Sequence, residues 1–80
     1  MIGKANLCGR RVKIGRANKD MSQIDLSAAF SVDFGMEISQ KAISRLERGV
    51  RPVTDLELVA LSKILEVSVL WLVFGDKQPK

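Results

Sequence analysis

Two stretches decide how this chain folds: Met21-Ser-Gln-Ile-Asp-Leu-Ser-Ala-Ala-Phe30 and Ile38-Ser-Gln-Lys-Ala-Ile-Ser-Arg-Leu-Glu-Arg-Gly49. Each begins with a serine in the place of a helix N-cap, Ser22 and Ser39, whose hydroxyl accepts a first-turn backbone N–H that has no partner inside the helix. Asp25, three residues after Ser22, makes an S-x-x-D variant of the capping box. In the first stretch Leu26, Ala29 and Phe30 share one inward stripe. In the second, Ile43 and Leu46 point inward at i, i+3 spacing, which leaves Gln40, Lys41, Ser44 and Arg45 outward. Gly49 follows where helices commonly turn left-handed. Two short helices are therefore expected, one ending near Phe30 and one running from Ser39 to Arg48. The residues between them, Ser31 to Ile38, read as a loop with Gly35 at its left-handed position. Its apolar members Val32, Phe34 and Met36 are expected to fold back over the core.

Working outward, a first helix spans about Leu7 to Lys19, with Cys8, Val12 and Gly15 on one stripe. A mid-helix glycine costs ~1 kcal/mol relative to alanine, so Gly15 suggests a close helix contact. Downstream, Arg51-Pro52 marks an extended connector. Thr54-Asp-Leu-Glu57 is a T-x-x-E capping box that opens a helix from Asp55 to Leu65, with Leu58, Leu61, Ile64 and Leu65 on its apolar face. Ser68 caps a last helix, Val69 to Phe74, ended by Gly75. No segment alternates as a strand does. The expectation is an all-α, compact five-helix fold: one domain over residues 1–80, its core about 7–75, with 76–80 a frayed tail.

Composition agrees with a packed core and narrows the chemistry. Apolar residues make up 46% of the 80-residue chain, enough for one small domain. Residues 1–51 hold ten Lys/Arg against five Asp/Glu, whereas residues 52–80 hold three against four. The basic excess thus coincides with the central helix pair, where it would attract phosphate. The lone Cys8 is expected as a small core residue and suits a reducing, cytoplasmic setting. No apolar run approaches the ~18–20 residues of a membrane span. With no His, no metal-ligand cluster and no Gly-rich phosphate loop, the sequence suggests no enzyme, no metal site, no cofactor and no small-molecule ligand.

Ser22-Gln23-x-x-Leu26, Ile43-Ser44-Arg45-Leu46-Glu47-Arg48-Gly49 and Val67-Ser68-Val69-x-Trp71-Leu72, in this order over about residues 8–75, resemble the phage-repressor (Cro/CI-like, XRE) helix-turn-helix family. The resemblance implies a lambda-repressor-like five-helix fold in which helix 3 reads the major groove of double-stranded DNA. It implies base contacts for Gln40, Lys41, Ser44 and Arg45. The chemistry suits them, because Gln pairs with adenine while Lys and Arg pair with guanine. It implies phosphate contacts for Gln23, at a helix start with free N–H groups, and for Ser39, Arg48 and Arg51. Arg16 and Glu47 match a pair that bridges helices 1 and 3 in this family. Two features depart from its pattern. The segment between helices 2 and 3 is several residues longer than usual, which bears on the angle between them and on whether Asp33 or Glu37 comes near DNA. Gly15 and Ile14 also stand where a large apolar and a polar residue are common.

Trp71 and Leu72 are expected in the core, whereas Leu70, Val73 and Phe74 exceed what one face of a short helix can bury. They are the candidate dimer interface. The reading is then a sequence-specific DNA-binding transcriptional regulator, a repressor working as a homodimer. The alternative is a protein-interaction module, such as an antitoxin or adaptor, with secondary or no DNA binding.

Overall fold

The computed structural model describes residues 5–75, so the tail expected to fray over 76–80 lies outside the described residues. Five helices follow one another: α1 (Ala5–Asn18), α2 (Gln23–Phe34), α3 (Gln40–Glu47), α4 (Asp55–Leu65) and α5 (Val69–Phe74). No strand occurs among the described residues. The local chemistry read from the sequence starts four of these helices. Ser22, Ser39, Thr54 and Ser68 each accept a backbone N–H from three residues ahead, and Ser22–Asp25 and Thr54–Glu57 are reciprocal capping boxes.

The second helix outruns its expected end by one turn. Ser31-Val-Asp-Phe34 contains neither Gly nor Pro, so each residue adds a helical hydrogen bond against a propensity penalty of roughly a few tenths of a kcal/mol. Propagation stops at Gly35, whose φ of 64° is left-handed and costs glycine little. There Gly35 N–H donates to the Ser31 carbonyl and Met36 N–H to the Phe30 carbonyl, both at 3.0 Å. The connection is thus Gly35 to Ser39 rather than the whole of Ser31 to Ile38, and it is tied down. The Ser27 hydroxyl donates to the Ile38 carbonyl at 2.6 Å, Ile38 is buried, and Met36 packs against the core. Val32 and Phe34 do not fold back as expected: Val32 stays 81% exposed, because the added helical turn carries it away from the core.

Every helix contributes to one apolar core. Cys8 and Val12 of α1, Leu26 and Phe30 of α2, and Ile43 and Leu46 of α3 meet Ala60, Leu61, Ile64 and Leu65 of α4 and Leu72 of α5. Burial raises the pKa of the Cys8 thiol, against the opposing charge of Arg11, which fits a packing role better than a reactive one. Trp71 packs at the edge of this core, and Gly15 is buried against Leu65 of α4 as its position suggested.

A tighter contact, which the sequence reading missed, occurs at Gly9. A Cβ there would lie 2.9 Å from the Glu47 carbonyl oxygen and closer still to that of Leu46. The first helix therefore rides directly on the backbone end of α3, and only a residue without a side chain permits that approach.

Gly9→Ala should lower the unfolding free energy by about 1–3 kcal/mol, since the added methyl group meets backbone that cannot rotate aside. Gly15→Ala, whose Cβ would meet the mobile end of Leu65 at 3.2 Å, should lose distinctly less. Urea denaturation of the two variants measures this directly, and equal midpoints would contradict the assignment.

Candidate nucleic-acid interface

The polar face of α3 begins with the capped residue Ser39. Burial of Ile43 and Leu46 leaves Gln40, Lys41, Arg45 and Arg48 exposed and Ser44 half-exposed. Among the described residues, Lys41, Arg45 and Arg48 pair with no carboxylate. An eight-residue helix held by few apolar anchors would rock on the core, so its orientation depends on polar ties as well.

The main tie is the bridge between Arg16 and Glu47. Arg16 Nε donates to Glu47 Oε2 at 2.7 Å and Arg16 Nη2 to Glu47 Oε1 at 2.9 Å, a bidentate fork. Its third nitrogen, Nη1, donates to the Met21 carbonyl at 2.9 Å and secures the turn between α1 and α2. Both side chains are largely withdrawn from water, Glu47 almost completely. The hydrogen bonds to Glu47 raise the Arg16 pKa further above its ordinary value, so the guanidinium stays charged.

From Glu47 the connection runs on to the exposed face. Gln23 Nε2 donates to Glu47 Oε1 at 3.0 Å, and Gln40 Nε2 donates to Gln23 Oε1 at 3.1 Å. Four residues of α1, α2 and α3 are thereby linked in series, ending at the first residue of the polar helix. Gln23, which the family resemblance implies as a phosphate contact, has its amide engaged on both sides, by Glu47 and by Gln40. No spacing rule could have shown this, because Gln23 and Gln40 are seventeen residues apart in the chain.

Arg51, which the family resemblance implies as a phosphate contact, already has a carboxylate partner within the fold. Its guanidinium forks onto Glu57, Nη1 to Oε1 at 3.0 Å and Nη2 to Oε2 at 2.9 Å. Nη1 also donates to the Pro52 carbonyl at 3.1 Å. Glu57, expected as a capping residue, accepts the Thr54 N–H as well. These partners, Arg51 first, hold its carboxyl below the usual carboxylate range against the opposing effect of burial. Even so, Arg51 lies beside the polar helix: Ser39, Lys41, Ala42, Arg45 and Arg51 line a concave surface of about 300 Å³.

Leu70 and Phe74 of α5 are 56% and 63% exposed, while Val73 is half-buried. On α4, Leu56 and Val59 also face solvent, which the periodicity of that helix did not single out.

A model of the helix-turn-helix family matches residues 12–72, which include the bridge, the polar face and the concave surface. The HTH-type transcriptional regulator DicA of Escherichia coli (strain K12) is 38% identical over 73 residues, covering 89% of this chain and 50% of DicA. The chain thus spans about half the length of that curated relative.

Arg16→Met should destabilise the fold by about 3 kcal/mol, because it leaves the Glu47 carboxylate buried without its counter-charge. Adding Glu47→Leu should recover most of that loss. Thermal unfolding of the single and double variants tests this, and a double variant no more stable than Arg16→Met would rule out the bridge as the cause.

Proposed function

Because the chain belongs to the phage-repressor-like (XRE) helix-turn-helix family, we propose that it is a sequence-specific double-stranded DNA-binding transcriptional regulator that represses by occupying promoter DNA. The observation that carries this reading is the α3 face, three cations with no carboxylate partner among the described residues, beside a glutamine anchored through Gln23 to a buried ion pair. In the major groove, Gln40, Lys41, Ser44 and Arg45 face base edges, with Gln suited to adenine and Lys or Arg to guanine. Ser39, Arg48 and the N-terminal end of α2 at Gln23 lie against phosphate, and Arg51 meets it while still paired with Glu57. Gln23 serves both ends, since its amide holds Gln40 while it stands at a helix start, where an anion is favoured.

Prior attachment of Gln40 matters for affinity. A side chain already held in one rotamer loses less conformational entropy on binding than a free one. The same bridge sets the angle of α3 to α1 and α2, so docking is rigid. Nothing in this reading calls for a cofactor, a metal or catalysis. A cytoplasmic setting is part of the proposal; no helix among the described residues is long and apolar enough to cross a membrane.

The homodimer belongs to the same proposal. Leu70 and Phe74, with Val73 beside them, form the apolar end of α5 and supply an isologous contact; the two copies of α3 in such a dimer address half-sites about one helical turn of DNA apart, ~34 Å.

Selection of bound fragments from random duplex DNA should enrich a palindromic motif, and Arg45→Ala should relax one position of it at a cost of about 1–3 kcal/mol. An unenriched pool, with Arg45→Ala binding like the parent, would favour a protein-interaction module instead. Separately, Leu70→Asp combined with Val73→Ser should convert a dimer to a monomer in sedimentation equilibrium. An unchanged mass would remove α5 from the interface.

A further inference from the structure

Glu57 does more than cap α4. We propose that it restrains the charge of the DNA-facing surface: by forking onto Arg51 it keeps a third cation beside Lys41 and Arg45 while withholding that cation's full charge from any passing polyanion. The proposal rests on the DNA-binding reading above and concerns how selective that binding is.

The geometry supports this in three steps. Lys41, Arg45 and Arg51 line one concave surface, so without a carboxylate nearby three like charges would face each other across it. Glu57 supplies that carboxylate, at 2.9 and 3.0 Å from two Arg51 nitrogens, with the Thr54 N–H as a further donor to it. Glu57 is buried and Arg51 only partly so, which makes the carboxylate the fixed member and the guanidinium the member that reaches solvent.

A phosphate arriving at the exposed side of Arg51 must therefore share it with Glu57. Charge-only attraction, which is the same for every DNA sequence, is reduced at this point. Base contacts from Gln40, Lys41 and Arg45 are not. The pair thus favours discrimination over total affinity, as repulsive or withheld interactions do at other selective interfaces.

Glu57→Gln tests this, because glutamine still serves at the third position of a capping box while losing the charge. Binding of the full chain to random-sequence duplex DNA is measured against salt concentration for the parent, Glu57→Gln, and Glu57→Gln with Arg51→Gln. A circular dichroism melt of each accompanies the titrations. The logarithmic salt slope should steepen by about 0.9 in Glu57→Gln, the increment for one more phosphate neutralised. It should return to the parental value or below when Arg51 is also replaced. A folded Glu57→Gln with the parental slope would overturn the proposal, and so would a double variant as steep as the single. If Glu57→Gln does not fold, Arg51→Gln alone decides: a slope flattened by more than half a unit in the folded single variant would overturn it, since the paired arginine is held to contribute little. An Arg48→Gln control separates the two layers. Where Arg48→Gln flattens the slope and Glu57→Gln leaves it alone, DNA binding stands and only the role of Glu57 fails; where the parent binds no duplex at all, both fail.

Discussion

The ion pair between Arg16 and Glu47 is the constraint on which the rest of this molecule depends. A fork at 2.7 and 2.9 Å joins α1 to the last residue of α3, and the same guanidinium holds the α1–α2 turn through the Met21 carbonyl. One side chain thus fixes three elements at once. The pair is nearly dry, so its worth lies less in net stability than in geometry: removing either member strands the other without solvent. Gly9 adds to the constraint, because it lets α1 lie almost on the backbone at the end of α3.

From that anchor the polar order spreads outward. Glu47 holds Gln23, and Gln23 holds Gln40, so a buried charge positions an amide on the exposed face through two hydrogen bonds. A similar arrangement recurs nearby, where Glu57 joins the cap of α4 to Arg51 in the connector after α3. Both acidic residues are buried, and both point a cation or an amide at the surface that carries Lys41 and Arg45. On the exposed face Gln40 and Arg51 are accordingly held in place, while Lys41, Arg45 and Arg48 have no carboxylate partner among the described residues.

The longer connection between α2 and α3 shows how such a fold absorbs added residues. Most of the extra length becomes helix, ending in a left-handed glycine, and the remainder is pinned by Ser27 and by burial of Ile38. The angle between the two helices therefore does not depend on a tight turn. The cost is an exposed apolar turn carrying Val32 and Phe34, which a loop reading would have placed inside.

Spacing and residue type along the chain are enough to place the five helices, most of their bounds, the caps at Ser22, Ser39, Thr54 and Ser68, and the inward positions Leu26, Phe30, Ile43 and Leu46. These follow from interactions within three or four residues, which spacing records directly. The pairing of Arg16 with Glu47 was legible too, but only through likeness to a family. Tertiary structure alone decided what lies between distant segments: the contact of Gly9 with the end of α3, the bridging role of Gln23, and the capture of Arg51 by Glu57. Where α2 stops is again local, since Ser31 to Phe34 hold neither Gly nor Pro and Gly35 turns left-handed; what the packing added is the burial of Ile38 and the partial burial of Met36 after it. Local rules carry no term for which side chains meet across a core, and the candidate interface is assembled from those meetings.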